Sequence, residues 1–264
     1  MNKFIIAGAQ KCGTTTLNHI FQRINDLHIV ENELHYFSKH YSKKFNYESI
    51  FNNEYKVSGE KTPNYTDKPS NSYIHLETFN RFIDYCKNNH VKVIFCIRNP
   101  IYRLESALNH HYVKGRIWPY QKITKNFLFG KKMSHLNLVS KGEYNYAISQ
   151  LILNEIDFRI FVLEKDHNFN WYNNTLNWLG SDYEIKNEFL KTHSNKRRIS
   201  KQNAMFRYLF PDRSIVRKIF RENDKGEKVF LSDEVKSFLK FYYAPSVFQT
   251  SDLINFDLAK LWSF

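Results

Sequence analysis

The chain has 264 residues, of which 42% are hydrophobic and 25% are charged, and this is enough to bury one sizeable α/β core. The composition excludes a disordered or fibrous chain, so we expect a single domain over residues 1–264. The formal net charge of +13 favours anionic partners such as nucleotide phosphates, sulfated sugars, nucleic acid or acidic lipid. Charge alone does not choose among these partners, and it leaves open a basic surface that only keeps the protein in solution.

The predicted elements alternate between strands and helices along the chain. Strands are predicted where short apolar runs occur, at residues 4–8, 91–97 and 158–163. Helices are predicted where apolar residues recur at helical spacing, at residues 14–24, 71–86, 143–156 and 169–179, with further helices beyond residue 200. Residues 115–140 lack clean periodicity and are predicted to be irregular. The alternation predicts an α/β fold with a central, mainly parallel sheet flanked by helices.

The cysteines and the apolar runs give an expectation about the compartment. Cys12, Cys86 and Cys96 are an odd number without a C-x-x-C pair, which predicts neither a disulfide framework nor a zinc ribbon and fits a reducing environment. The first apolar run is broken by polar residues after a few positions, so we interpret it as a strand and not as a signal peptide. No run approaches the roughly 20 residues of a membrane-spanning helix. We therefore expect a cytoplasmic protein without a transmembrane segment.

The loop between the first predicted strand and helix is a candidate anion site. It contains Gly8, Lys11, Cys12, Gly13, Thr14, Thr15 and Thr16. Backbone N–H groups and the positive end of a helix converge at such a loop, which suits a phosphate group. The ATP-binding pattern G-x-x-x-x-G-K-[ST] requires lysine directly after its second glycine, where this chain has Thr14. The lysine instead precedes Gly13, as Lys11.

A second candidate anion site lies where the strand at 91–97 gives way to a helix. The segment R-N-P-I-Y-R-L-E-S runs from Arg98 to Ser106, and Pro100 suits the first turn of a helix. Arginine offers phosphate a planar and permanently charged set of donors, and a serine within the helix adds a hydroxyl donor. The role of Arg103 stays open between phosphate binding within this segment and a solvated or structural arginine.

Together these two segments resemble the donor-binding motifs of PAPS-dependent sulfotransferases, where PAPS is 3'-phosphoadenosine 5'-phosphosulfate. Residues 11–17 resemble the 5'-phosphosulfate loop K-x-G-T-T-x-L, and residues 98–106 resemble the 3'-phosphate motif R-[DN]-P-x-x-R-x-x-S. The resemblance implies a P-loop-like three-layer fold, with PAPS as co-substrate and PAP as product. It assigns the departing phosphate to Lys11, the 5'-phosphate to residues 12–16, and the 3'-phosphate to Arg98 and Ser106.

Two further segments resemble the acceptor side of the heparan-type and related carbohydrate sulfotransferases. Glu33 and His35 match the K-E-x-H-F-F segment, although Glu31 stands where that segment usually has lysine. By resemblance, Glu33 is the general base beside His35. Lys61 matches the lysine of G-E-K-[ST]-P-x-Y and is expected to stabilise charge on the transferred group. A solvated carboxylate at Glu33 and a packed histidine at position 35 remain the alternative.

The later basic and aromatic candidates depend on shorter matches. Tyr144, in a [KR]-G-x-Y segment, is expected near the nucleotide or acceptor, with a plain core aromatic as the alternative. Lys196 and Arg197 lie where related enzymes carry a basic loop that closes over the donor, with a solvated basic run as the alternative. The remaining histidines show no metal-ligand spacing, so we expect no metal.

We therefore predict a sulfotransferase that moves a sulfuryl group from PAPS to a hydroxyl or amine, with a glycan as the expected acceptor and no nucleic-acid partner. One alternative is a nucleotide-dependent phosphotransferase, which would need Mg²⁺ and the missing lysine. Another is a non-catalytic binder of anionic polymers, which would bind in a salt-dependent way.

Overall fold

A five-stranded sheet organises the chain. The computed structural model describes residues 1–41, 45–68, 73–130, 133, 136–186, 200–210 and 228–264. The strands are β1 (Asn2–Gly8), β2 (Leu27–Ile29), β3 (Val57–Lys61), β4 (Lys92–Ile97) and β5 (Phe158–Val162). Their order in the sheet is β2-β3-β1-β4-β5, and all neighbouring pairs are parallel. The predicted α/β fold with a mainly parallel sheet is confirmed.

Helices connect and flank these strands. They are α1 (Thr14–Phe21), α2 (Tyr73–Asn88), α3 (Pro100–Val113), α4 (Lys125–Phe129), α5 (Asn145–Leu153), α6 (Leu163–Asp166), α7 (Phe169–Leu179), α8 (Lys201–Leu209), α9 (Asp233–Ile254) and α10 (Leu258–Trp262). Three single turns add a π-helical segment at Tyr36–His40 and 3₁₀ segments at Tyr47–Ile50 and Ser140–Gly142. Gly180 ends α7 in the left-handed conformation, as its position in the sequence predicts.

The central strands form the core because both faces of the sheet are covered. Phe4, Ile5 and Ile6 of β1 are completely buried, and so are Val93 and Ile94 of β4. A parallel strand that is buried on both faces carries a continuous apolar run, and this is why β1 and β4 were recognisable from sequence. β2 and β3 were not predicted. β2 has only three residues, and β3 contains serine, glycine, glutamate and lysine although all five of its residues are buried.

The chain forms two compact units. The first consists of residues 1–99, 143–192 and 245–264 and contains the whole sheet. The second consists of residues 100–142 and 193–244 and contains α3, α4 and α8. In the second unit Tyr112, Val113 and Ala204 form a small apolar cluster. Throughout the described ranges, every helix is too short or too polar to span a membrane.

Candidate active site

The candidate residues of the first unit follow the carboxyl ends of neighbouring parallel strands. Glu33 follows β2, Lys61 is the last residue of β3, Lys11 follows β1 and Arg98 follows β4. Because the sheet order is β2-β3-β1-β4, these four positions follow one edge of the sheet in that order. In open α/β sheets this edge is where ligands bind.

The loop after β1 has the backbone of an anion-binding turn. Lys11 and Gly13 both adopt left-handed conformations, with φ of 71° and 89°, and Gly13 is the N-cap of α1. The first backbone hydrogen bond of the helix is donated by the Leu17 N–H to the Gly13 carbonyl at 3.0 Å. The N–H groups of residues 14–16 precede it and have no carbonyl one turn earlier in the helix. These N–H groups and the positive end of the helix dipole favour an anion. The geometry of the turn is therefore consistent with the anion site that the sequence predicts.

Tyr144 links the two predicted donor motifs. Its hydroxyl donates to the Arg98 carbonyl at 2.7 Å and lies 3.5 Å from Cys12 Sγ. Just before the two motifs, the Ala9 N–H donates to the Cys96 carbonyl at 2.5 Å. Tyr144 is only 2% exposed and Cys12 is fully buried, so both side chains hold the loops together from within. The assignment of Tyr144 and Cys12 to donor binding stays a prediction.

The Arg98 side chain has an unused donor. Its Nε is buried and makes no hydrogen bond within the described part of the chain, while the side chain as a whole is 28% exposed. The facing acidic group is Glu164, whose Oε1 lies 3.7 Å from Nε. Glu164 accepts from the Asn99 N–H at 3.1 Å and from the Trp262 indole N–H at 3.2 Å. These bonds fix the carboxylate beside the guanidinium.

The rest of the second motif lies in the second unit. Ser106 is half-buried on α3. Arg103 is completely buried, and its guanidinium donates to the Leu138 carbonyl. The alternative of a solvated Arg103 is therefore wrong, because burial makes this arginine part of the interior of its unit. The assignment of Ser106 to a 3'-phosphate stays a prediction.

Glu33 and Lys61 form an ion pair. Lys61 Nζ lies 2.9 Å from Glu33 Oε1. The lysine side chain is 7% exposed and the glutamate side chain is 38% exposed, so solvent or a substrate reaches the carboxylate while the ammonium is enclosed. The pair joins the two segments that sequence analysis assigned to the acceptor side.

His35 completes this group. Its Nε2 lies 3.5 Å from Glu33 Oε2, and its Nδ1 lies 3.1 Å from Asn64 Oδ1. Asn64 donates through Nδ2 to the Ser38 hydroxyl at 3.2 Å, which orients the amide so that its oxygen faces His35. Burial, followed by the charge of Lys39, lowers the pKa of His35, so the imidazole is neutral at neutral pH. The amide oxygen of Asn64 faces Nδ1 and suits a proton there, while Nε2 faces Glu33.

Several of these contacts were not predicted from sequence. Asn64 lies three residues after Lys61, in the same G-E-K-[ST]-P-x-Y segment, and this closeness to Lys61 could have suggested it as a site residue. Glu164 and Trp262 carry no sequence signal. Lys196 and Arg197 lie outside the described residues, so their assignment stays a prediction. Within the described ranges, no group of three or more His, Cys, Asp or Glu side chains is arranged to hold a metal ion.

Known proteins match this chain in sequence pattern and in fold. A family model described as the sulfotransferase domain matches residues 1–179. A sulfotransferase from Alicyclobacillus acidocaldarius has a similar crystal structure, with a TM-score of 0.65 and 16% sequence identity over 100% of this chain and 99% of that chain. At this identity the structural likeness concerns the fold alone. No curated protein matches the chain significantly.

Proposed function

Because the chain belongs to the sulfotransferase family, we propose that it transfers a sulfuryl group from PAPS to a hydroxyl or amine of a carbohydrate. The observation that carries this proposal is the placement of Glu33, Lys61, Lys11 and Arg98 after four neighbouring parallel strands. A donor with phosphate at two positions and an acceptor with a proton to lose require cations and a base along one edge. The sheet order supplies them side by side.

The donor residues fit an anionic nucleotide. The Arg98 side chain is 28% exposed, and a phosphate oxygen is the partner that a guanidinium binds most strongly. The N–H groups of residues 14–16 suit the 5'-phosphate, and Lys11 stabilises the negative charge that grows on the departing phosphate. When bound, PAPS supplies the sulfuryl group.

The residues of the acceptor side suit removal of a proton from the acceptor. Glu33 is accessible and therefore able to take the proton of an incoming hydroxyl or amine, and the neutral His35 ring lies beside it. Lys61 holds the carboxylate through its ion pair and places positive charge next to the reacting group. Support for a glycan acceptor comes from the resemblance of the Glu33 segment and from the net charge of +13, which favours acidic polysaccharides.

The direct experiment is incubation with PAPS and one candidate acceptor at a time: heparosan, N-deacetylated heparosan, chondroitin and a phenol. Release of PAP is followed by chromatography, and the product is identified by mass spectrometry. Glu33→Gln should lower kcat by about 100- to 10,000-fold on any glycan that is sulfated. The matched control is Glu31→Gln, which removes an exposed carboxylate of the same segment and should keep kcat within about twofold. Equal loss in both variants, or sulfation of the phenol alone, would contradict the proposal.

A further inference from the structure

The proposed reaction leaves one carboxylate in the interior of the first unit without an assigned role. Glu60 lies in β3 directly before Lys61 and is completely buried. The Tyr47 hydroxyl donates to Glu60 Oε1 at 2.8 Å, and the Thr62 hydroxyl donates to Oε2 at 2.7 Å. The Tyr65 hydroxyl also interacts with the same carboxyl group. An acceptor substrate cannot reach this group, so Glu60 is not a base for the reaction.

Two of these hydroxyls also hold the segment that carries Glu33 and His35. Thr62 Oγ1 accepts from the backbone N–H of Leu34 at 3.2 Å and from that of His35 at 3.4 Å. The Tyr65 hydroxyl accepts from the backbone N–H of Tyr36 at 2.9 Å. Three consecutive N–H groups, immediately after the proposed base, therefore depend on two side chains that meet at Glu60.

The number of available hydrogens explains why Glu60 matters. A hydroxyl has one hydrogen to donate, and an ionised carboxylate only accepts. When Glu60 is ionised, Thr62 and Tyr65 must direct their hydrogens to it, and their lone pairs are then left for the N–H groups of residues 34–36. Burial raises the pKa of Glu60 to about 7, so the carboxyl group is mostly ionised at about pH 8.

The held segment is strained. His35 adopts a left-handed conformation with φ of 51°, which is unfavourable for a residue with a side chain. Such a conformation persists only where surrounding contacts impose it. The bonds from Leu34, His35 and Tyr36 to the two hydroxyls are those contacts, and they set the direction in which the Glu33 and His35 side chains leave the backbone.

We propose that Glu60 is a positioning residue that acts through the hydroxyls of Thr62 and Tyr65 to hold Glu33 and His35 against Lys61. Neighbouring residues of a strand point to opposite faces of the sheet, so β3 supplies the lysine on one face and the support for its partner segment on the other. The catalytic part of this inference rests on the proposed function. The structural part does not.

Amide hydrogen exchange, measured by NMR at about pH 8, tests the structural part without any substrate. Glu60→Gln should reduce the protection of the Leu34, His35 and Tyr36 amides together, by about tenfold or more. Thr62→Val should affect residues 34 and 35, Tyr65→Phe should affect residue 36, and Thr62→Ser should restore protection because it keeps the hydroxyl. Thr66→Val is the matched control, since its buried hydroxyl donates to the Ala7 carbonyl and not to this network.

Kinetics then test the positioning role. For an acceptor that is sulfated, Glu60→Gln and Thr62→Val should lower kcat by about 10- to 100-fold, while Thr62→Ser keeps it. The dissociation constant for PAP should stay within about twofold in all three variants, because the donor loop is untouched. Unchanged protection in Glu60→Gln and Tyr65→Phe would overturn the inference, and so would lost protection with unchanged kcat. If no acceptor is sulfated by wild type, the proposed function fails while the exchange pattern still decides the structural part.

Discussion

Replacement of Arg98 by alanine should weaken the binding of PAP but not that of 5'-AMP, which lacks the 3'-phosphate. The Arg98 side chain is 28% exposed, and its guanidinium offers a bound 3'-phosphate a charge-assisted hydrogen bond. A charge-assisted hydrogen bond of this kind contributes about 1.5–3 kcal/mol, which corresponds to a loss of about 10- to 150-fold in PAP affinity. For 5'-AMP the change should stay within about twofold.

The assay is calorimetric titration of wild type, Arg98→Ala and Lys11→Ala with each nucleotide, which forms a thermodynamic cycle. Lys11→Ala is the matched control because it removes one positive charge from the loop assigned to the 5'-phosphate. It should weaken PAP and 5'-AMP by similar factors. Equal weakening of both nucleotides by Arg98→Ala would refute the assignment of this arginine to the 3'-phosphate, and so would a PAP affinity that does not change.

Three further substitutions probe the parts that support the site. Tyr144→Phe leaves the Arg98 carbonyl without its hydroxyl donor, so the free energy of unfolding in urea should fall by about 1–3 kcal/mol. Because Lys11 has a φ of 71°, Lys11→Gly should be more stable than Lys11→Ala by about 1 kcal/mol in the same assay, with equal loss of PAP binding. Burial raises the pKa of Glu60 from 4.5 to about 7, so the folded protein keeps a proton that the unfolded chain releases. The stability from that proton is complete below the unfolded pKa and is lost as the pH rises to about 7, by up to about 3 kcal/mol relative to Glu60→Gln.

Short sequence patterns were sufficient to predict the elements that carry the donor side of the site. β1, its loop and α1 follow from an apolar run, a glycine and helical spacing, and the corner at Arg98 follows from β4 and Pro100. Each of these signals lies within about twenty neighbouring residues, so no tertiary contact is needed to recognise it. The prediction of a sulfotransferase is confirmed by the family match over residues 1–179.

Long-range contacts explain what the sequence did not predict. β3 was missed because its glutamate and lysine are buried, and burial of such groups is possible only where partners satisfy them. The partners of Glu60 include Tyr47, which lies 13 residues away. Glu164 and Trp262 are 98 residues apart, and their contact beside Arg98 exists only in the folded chain.

The nucleotide preference of the purified protein decides whether this edge of the sheet binds PAPS. Calorimetric titration should compare PAP with ATP in the presence of Mg²⁺ for wild-type protein. We expect PAP to bind at least about tenfold more tightly than ATP, because one additional phosphate contact through Arg98 is sufficient for that factor. A preference for ATP with Mg²⁺, or a folded protein that binds neither nucleotide, would contradict the claim that this edge of the sheet is a PAPS site.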